Sequence, residues 1–197
     1  MKRALLLAVL VLSACGINSD DRPRNIPAAD QLPLGIDTDT GAGAATGTAR
    51  VYLLAPEVVG QTPTLQAVAR DVDEDPQAVL EALFAGPNPG ELDQQFRTAL
   101  PSDTRLLSAT TFGGQLIVDV TRDLQQLSGQ VLIAAIAQIV FTGSGVAGVS
   151  TVKVLVEGAD QQWPTGNGEV QSAPLSVYDY PGMVPSAQPA YPAIPTP

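Results

Sequence analysis

The chain has 197 residues, a formal net charge of −10, one cysteine and no histidine. Without histidine, a Ser-His-Asp triad, a Cys-His pair and all histidine-ligated metal sites are excluded, and one cysteine cannot form a disulfide framework. The acidic excess makes nucleic acid a poor partner. We therefore expect no catalytic residue, no metal and no cofactor.

The N-terminus has the pattern of an export signal. The basic pair Lys2-Arg3 precedes an apolar run, Ala4–Leu12, which is too short for the roughly 20 residues of a membrane span. With Leu12-Ser13-Ala14-Cys15, this segment resembles a bacterial lipoprotein signal peptide and its lipobox. The resemblance implies cleavage before Cys15 and lipidation of its sulfur, which would anchor the protein on the extracytoplasmic face of the cell membrane. An ordinary signal peptide with a chance cysteine is the alternative.

Composition divides the chain into four segments. Residues 1–14 are the predicted signal peptide, and residues 15–49 are the predicted lipidated cysteine and flexible tether, because large apolar residues are scarce there. Residues 50–180 are long enough for one folded domain with a single core. Residues 181–197 contain six prolines and are predicted to form a disordered tail.

The first half of the domain predicts two strands and a helix. Arg50–Leu54 is a β-rich segment, and Leu65–Val72 is a weaker one, expected near a sheet edge. Asp75-Pro76 predicts a helix start, with an N-cap aspartate followed by proline. Apolar residues at helical spacing continue to Gly86-Pro87, which ends the helix. A further short helical stretch is predicted from Glu91 to Leu100.

The second half predicts a hairpin, a helix and a strand. Gly113-Gly114 indicates a tight turn between strands at 104–112 and 115–120. Ser128 is expected to cap an apolar helix that runs to about Phe141 with Ile136 at its centre, and Gly143-Ser144-Gly145 is expected to stop it. The last strands are Val149–Val156 and a short edge strand at 176–178. The predicted fold is α+β, with two helices on one face of a mostly antiparallel sheet of four to five strands.

Four motifs point to a family. They are a helix end, a hairpin entry, a strand exit and a closing strand: Leu83-Phe84-Ala85-Gly86-Pro87, Leu100–Leu106, Leu116–Val120 with Leu124, and Val152–Gly158. Over about Arg50–Tyr180 the chain resembles the GerMN domain, a sporulation and spore-germination module of bacterial envelope lipoproteins. It departs from the family pattern at Asp103, Thr121 and Leu124. The resemblance implies an architecture similar to ring-building modules, no catalytic residues, and a role in envelope assembly, scaffolding or sensing.

Two clusters of acidic residues are candidate sites. Asp71, Asp73, Glu74 and Asp75 have oxygen ligands suited to calcium, but the run lacks the glycine and distal glutamate of an EF-hand loop and fits the start of a helix. Asp119 and Asp123 would be the two catalytic carboxylates of a wall hydrolase. Because nothing in the spacing brings that pair into a cleft, a turn-capping role for the second aspartate is preferred.

Three aromatic residues form the candidate binding site. Trp163, Tyr178 and Tyr180 are predicted to make a small patch, since aromatic side chains are enriched at interfaces. The predicted function is a membrane-anchored, non-catalytic domain for protein interaction or envelope assembly. Its expected partners are the membrane, through lipid on Cys15, and envelope proteins or a second copy. A sensor of wall glycan or a small molecule, and a wall hydrolase, are the alternatives.

Overall fold

The computed structural model describes residues 47–185. The predictions for the signal peptide, Cys15, the tether and most of the proline-rich tail lie outside this range. The elements, in chain order, are β1 (Ala49–Leu54), β2 (Leu65–Arg70), α1 (Pro76–Phe84), α2 (Pro89–Asp93), β3 (Leu106–Phe112), β4 (Gln115–Val120), a 3₁₀ helix (Arg122–Gln126), α3 (Gly129–Ser144), β5 (Thr151–Val156), β6 (Ala159–Asp160), β7 (Trp163–Pro164), β8 (Val170–Gln171) and a second 3₁₀ helix (Val177–Asp179).

The main sheet has the strand order β3-β4-β5-β6. Strands β3 and β4 form the predicted hairpin, and Gly113 and Gly114 take φ values of 57° and 84°, as a tight two-residue turn requires. Strands β4 and β5 are parallel, in the register Gln115↔Thr151 to Val120↔Val156. The helix α3 supplies the crossover that parallel neighbours need. The predicted α+β fold with a mostly antiparallel sheet is confirmed: two of the three strand pairs in the main sheet are antiparallel, and only the central pair is parallel.

Strands β1 and β2 form a separate antiparallel sheet. The sequence predicted one sheet, whereas the structure divides its strands among three, with β7 and β8 as the third. The backbone N–H and C=O groups on the outer edge of β1 form hydrogen bonds with groups that do not belong to the main sheet. The Tyr52 N–H donates to Thr142 Oγ1 at 3.0 Å, its carbonyl accepts from Gln138 Nε2 at 2.9 Å, and Leu54 forms a bridge with Arg97. Because these groups replace a neighbouring strand, β1 does not join the main sheet.

One core lies between the helices and the sheets. The helix α3 is apolar on most of its surface, and Ile136 is fully buried, as predicted. Gly143 lies inside this helix and packs against β4, since a Cβ at this position would approach Leu116 Cδ2 to 2.7 Å. The helix ends at Ser144, and Gly145 is its C-cap. Much of the remaining core is contributed by alternate residues of the strands and by α1, among them Val51, Leu53, Leu65, Val79, Leu80, Leu83, Leu116, Val118, Val120, Val152, Val154 and Val156.

Local signals fix the starts of α1 and α2, whereas Ser128, which was predicted to cap α3, is its N-cap residue but makes no capping hydrogen bond with its side chain. Asp75 is the N-cap of α1, and its Oδ1 accepts from Gln77 N and Ala78 N at 3.0 and 3.1 Å. The predicted helical stretch over 91–100 instead begins at Pro89 and ends at Asp93, because a capping box with Asn88 fixes an earlier start. Residues 176–178 were predicted as an edge strand. They belong to a 3₁₀ turn, since the Asp179 carboxylate accepts hydrogen bonds from Ser176.

The domain continues past residue 180, the predicted boundary. Met183 and Val184 pack against the core, and the Met183 carbonyl accepts from Leu65 N at the start of β2. The segment before them runs along the outer edge of β5, where Leu175 exchanges two backbone hydrogen bonds with Val152, each 2.7 Å long. This segment therefore covers one edge of the main sheet.

Candidate functional site

The predicted aromatic patch is not a single surface. Trp163 is 5% exposed and donates from Nε1 to the Val154 carbonyl at 2.9 Å. Tyr180 is 1% exposed and its hydroxyl donates to the Pro164 carbonyl at 2.9 Å. Burial, and secondarily the charge of Asp179, raise the pKa of Tyr180 well above its usual value. Only Tyr178, at 89% exposure, is available to a partner. The two buried rings fasten the C-terminal segment to the main sheet.

The carboxylates at 119 and 123 each have a structural partner. Asp119 Oδ1 accepts from Gly158 N at 2.9 Å and so holds the turn after β5. Asp123 accepts from the Thr121 hydroxyl at 2.9 Å and from Gln126 Nε2 at 3.1 Å, so its partners are neighbouring side chains and not the backbone N–H groups that a turn cap would bind. These contacts place the two carboxylates in separate local networks.

The carboxylates of the acidic run before α1 are all exposed, including that of the cap Asp75. Asp75 is committed to two backbone N–H groups of the helix, as described above. Within residues 47–185 no group of three or more histidine, cysteine, aspartate or glutamate side chains is placed to hold a metal ion.

A buried ion pair was not predicted from the sequence. Arg70, at the end of β2, pairs through both terminal nitrogens with Glu91, and the side chains are only 12% and 8% exposed. The Arg70 Nη2 to Glu91 Oε2 distance is 2.6 Å, and Glu91 Oε2 also accepts from Asn88 N at 2.8 Å. The glutamate therefore joins the α2 capping box to the β1–β2 sheet. The Asn-x-x-Glu spacing could have revealed the cap, though not the arginine.

Gln138 is the second polar group that sequence reasoning missed. It is fully buried in α3; its Nε2 donates to Tyr52 O at 2.9 Å, and its Oε1 accepts from Ala99 N at 2.7 Å. Thr142, one turn later, is also fully buried and satisfies the N–H of the same tyrosine. An amide in the middle of an apolar run of the helix was the available signal. Both groups connect the helix to β1 and serve the fold.

One surface hollow lies in the loop between β1 and β2. Residues 55–58 and 61–64 line it, and it encloses about 260 Å³ of space that includes open solvent. Small-molecule sites usually occupy roughly 300–1,000 Å³ with convergent polar groups. At its rim Glu57 Oε1 accepts from Arg97 Nη1 at 3.1 Å, and both side chains are exposed. The hollow has neither the size nor the enclosure typical of a ligand site.

The most distinctive surface is the edge formed by β3. This strand is terminal in the main sheet and is paired only with β4 in the part of the chain that the structure describes. Leu107 and Phe112 are 49% and 84% exposed, and the strand carries no charged residue and no proline. Ala109 is its buried position, and its N–H donates to Gln77 Oε1 at 2.9 Å. This edge is the candidate interaction surface.

The described residues thus form a small α+β domain with a packed core, carboxylates in structural roles and an exposed sheet edge. A comparison with protein-family models identifies the family to which the domain belongs. The model of the family "Germane: Sporulation and spore germination" matches residues 50–162, which is more than half of the chain. The chain therefore belongs to this family, and the GerMN resemblance is confirmed. A search of curated proteins found no match.

Solved structures agree on the fold. The first GerMN domain of the sporulation protein GerM from Bacillus subtilis aligns with a TM-score of 0.51 and 19% identity, over 65% of this chain and 96% of that one. The tandem GerMN domains of the same protein align with a TM-score of 0.50 and 22% identity, over 71% of this chain and 49% of that one. This chain thus spans about half the length of the tandem structure, and at these identities the likeness shows the fold alone. Among residues 47–185, no helix is both long and apolar enough to cross a membrane.

Proposed function

We propose that this protein is a lipid-anchored extracytoplasmic lipoprotein whose GerMN domain acts by contact with other proteins of the cell envelope. The observation that carries the proposal is the family match over residues 50–162. The family's description places the process in sporulation and spore germination, and a role of this chain in that process is part of the proposal.

The chemistry of the described residues supports a contact role over catalysis. Asp119 and Asp123 hold turns, and Glu91 is occupied by an arginine and a backbone N–H. The chain has no histidine, and its sole cysteine is Cys15, outside the domain. A general acid–base pair needs side chains that face a reacting group. The domain instead offers an uncharged sheet edge, which suits backbone pairing with another chain.

The anchor is supported by the lipobox pattern that ends at Cys15. Labelling of cells with an alkyne fatty acid should mark the wild-type chain, whereas Cys15→Ala should lose the label and leave the membrane fraction. Ser13→Ala is the matched control, because it keeps a small residue before the cleavage site and should still be labelled. If Cys15→Ala sediments with membranes in high salt, the proposed anchor is wrong.

The contact role is tested by crosslinking in intact cells followed by mass spectrometry. The expected result is a specific envelope protein, or a second copy, linked to residues of the domain. Saturable binding of wall glycan or a small molecule to the purified protein, with no protein crosslink in cells, would favour a sensor. Turnover of a wall fragment that is lost in Asp119→Asn would favour a hydrolase. Either of these results would overturn the contact role.

A further inference from the structure

One dipeptide of the domain is chemically labile. The chain has four asparagines, and only Asn167 is followed by a glycine. Asparagine is a thermolabile residue, because its side-chain amide can react with the backbone nitrogen of the next residue. Glycine in that next position leaves the nitrogen unshielded by a side chain. A Cβ placed on Gly168 would meet no atom within 4 Å, and both residues are exposed, so solvent reaches the reacting groups.

The Asn167-Gly168 pair lies in the turn between β7 and β8. This turn is closed by two backbone hydrogen bonds, from Thr165 N to Glu169 O at 2.8 Å and from Gly168 N to Thr165 O at 2.9 Å. Gly168 has a φ of 88°, in the left-handed region that glycine adopts readily. The turn therefore fixes the position of the asparagine relative to its neighbours.

Two donors converge on the side-chain oxygen of Asn167. Glu169 N donates to Asn167 Oδ1 at 3.0 Å, and the Thr165 hydroxyl donates to the same oxygen. Thr165 is 7% exposed, so this hydroxyl is held in place. Oδ1 becomes negatively charged when the next backbone nitrogen adds to Cγ. Hydrogen bonds to a charged oxygen are stronger than those to a neutral one, so these donors stabilise the transition state more than the reactant, as in an oxyanion hole.

One hydrogen bond has to open before the reaction. The Gly168 N–H must leave the Thr165 carbonyl to reach the asparagine side chain. Strands β7 and β8 pair over only two residues each, and one of these is Pro164, which has no N–H to donate. Glu169 and Val170, on the β8 side, are exposed. So short a ladder should open locally at a small cost in free energy.

We propose that Asn167 is a site of spontaneous modification, which is converted in the folded chain to aspartate and isoaspartate through a succinimide. The Gly168 nitrogen forms a bond to Asn167 Cγ, and the bond from Cγ to Nδ2 breaks. The proton of the Gly168 N–H passes through solvent to the departing nitrogen, which leaves as ammonia. Water then opens the ring. Its attack at Cγ gives aspartate, and its attack at the backbone carbonyl carbon of the same residue gives isoaspartate. Water is the only co-reactant.

Isoaspartate inserts an extra atom into the backbone of the turn. The turn is tied to the C-terminal segment, because Gly166 N donates to Asp179 O at 2.8 Å. Gly166 has little room to adjust, since a Cβ there would lie 3.1 Å from Tyr180 Cα. A longer turn should therefore weaken this hydrogen bond and loosen the segment that covers the β5 edge of the main sheet.

The modification is tested by incubating the purified full chain at mildly alkaline pH, both folded and unfolded in urea. Cleavage after glutamate releases peptides 158–169 and 82–91, which contain Asn167 and Asn88. In the folded chain, Asn167 should gain the mass of an amide-to-acid conversion, and its peptide should be methylated by an isoaspartyl methyltransferase. Asn88 is the internal control and should stay unchanged, because Pro89 has no N–H. An Asn167 amide that persists in the folded chain, whether or not it converts in urea, would overturn the proposal.

Variants of Thr165 test the role of the two donors. Thr165→Val keeps the shape of the side chain and removes its hydroxyl, so the folded variant should convert several times more slowly than wild type. Thr165→Ser keeps the hydroxyl and should convert at the wild-type rate. In urea, where the turn is absent, all three chains should convert equally. Faster conversion of folded Thr165→Val would contradict the proposal, because the hydroxyl would then restrain the amide instead of activating it.

The effect on the C-terminal segment is measured by urea denaturation of the isolated isoaspartate form. Asn167→Asp is the matched control, because it has the new charge without the extra backbone atom. The isoaspartate form should unfold at a lower urea concentration than this control. Equal midpoints would contradict the loosening of the C-terminal segment.

Discussion

The buried amide of Gln138 gives the most quantitative test of the fold. Gln138→Leu replaces it with an apolar side chain of similar size. The Tyr52 carbonyl and the Ala99 N–H then lose their partners at 2.9 and 2.7 Å, next to the fully buried position 138. Each unsatisfied buried group costs about 1–3 kcal/mol, so the variant should lose about 2–6 kcal/mol. That is a large part of the roughly 5–15 kcal/mol that stabilises a typical domain.

The assay is urea denaturation of the unlipidated chain, with the free energy of unfolding taken from linear extrapolation. Thr142→Val should lose about 1–3 kcal/mol, because it removes the acceptor of a single N–H, that of Tyr52. Ile139→Val, at a fully buried apolar position of the same helix, is the control and should lose about 0.5–1.5 kcal/mol. If Gln138→Leu is no less stable than this control, the amide does not carry the α3–β1 contact.

Further predictions concern the helix cap, the core and the buried tyrosine. Asp75→Ala should lose about 1 kcal/mol of unfolding free energy in urea, whereas the exposed Asp73→Ala should change it by less than about 0.5 kcal/mol. Ile136→Ala should fold but lose about 2–5 kcal/mol, and Ile136→Asp should fail to fold; a wild-type melting curve for the aspartate variant would contradict the core assignment. Because burial raises the pKa of the Tyr180 hydroxyl, its contribution to stability is complete below the unfolded value of about 10 and is lost as pH rises above it. Denaturation at pH 9 and 11 should therefore show a smaller alkaline loss in Tyr180→Phe than in wild type, with no such change in Tyr178→Phe.

Local signals in the sequence were sufficient for individual elements. The aspartate–proline pair at 75–76 indicated a helix start. Two consecutive glycines indicated the hairpin turn, because both positions of such a turn take positive φ, which glycine adopts readily. The apolar run around Ile136 correctly indicated a central helix, since few polar residues interrupt it. These features depend on residues close together in the chain, so no knowledge of the tertiary structure was needed.

Long-range features could not be read in this way. Alternation within β4 and β5 shows that one face is buried, but the direction of pairing depends on the path of α3 between them. The isolation of β1 depends on Gln138 and Thr142, more than eighty residues away in sequence. The burial of two of the three aromatic residues could not be predicted, for a related reason. Trp163 and Tyr180 find backbone carbonyl partners inside the fold, and such partners are invisible in the sequence.

The central claim is that a lipid on Cys15 holds this GerMN domain where it contacts envelope proteins. The most direct measurement is the yield of in-cell protein crosslinks from two forms expressed equally. One is the wild-type chain, and the other is exported by an ordinary signal peptide and lacks the lipidated cysteine. Confinement typically raises avidity by about 10²–10⁴, so the crosslink yield of the unlipidated form should be at least tenfold lower than that of the wild type. Equal yields from the two forms, or no protein crosslink from either, would contradict the account.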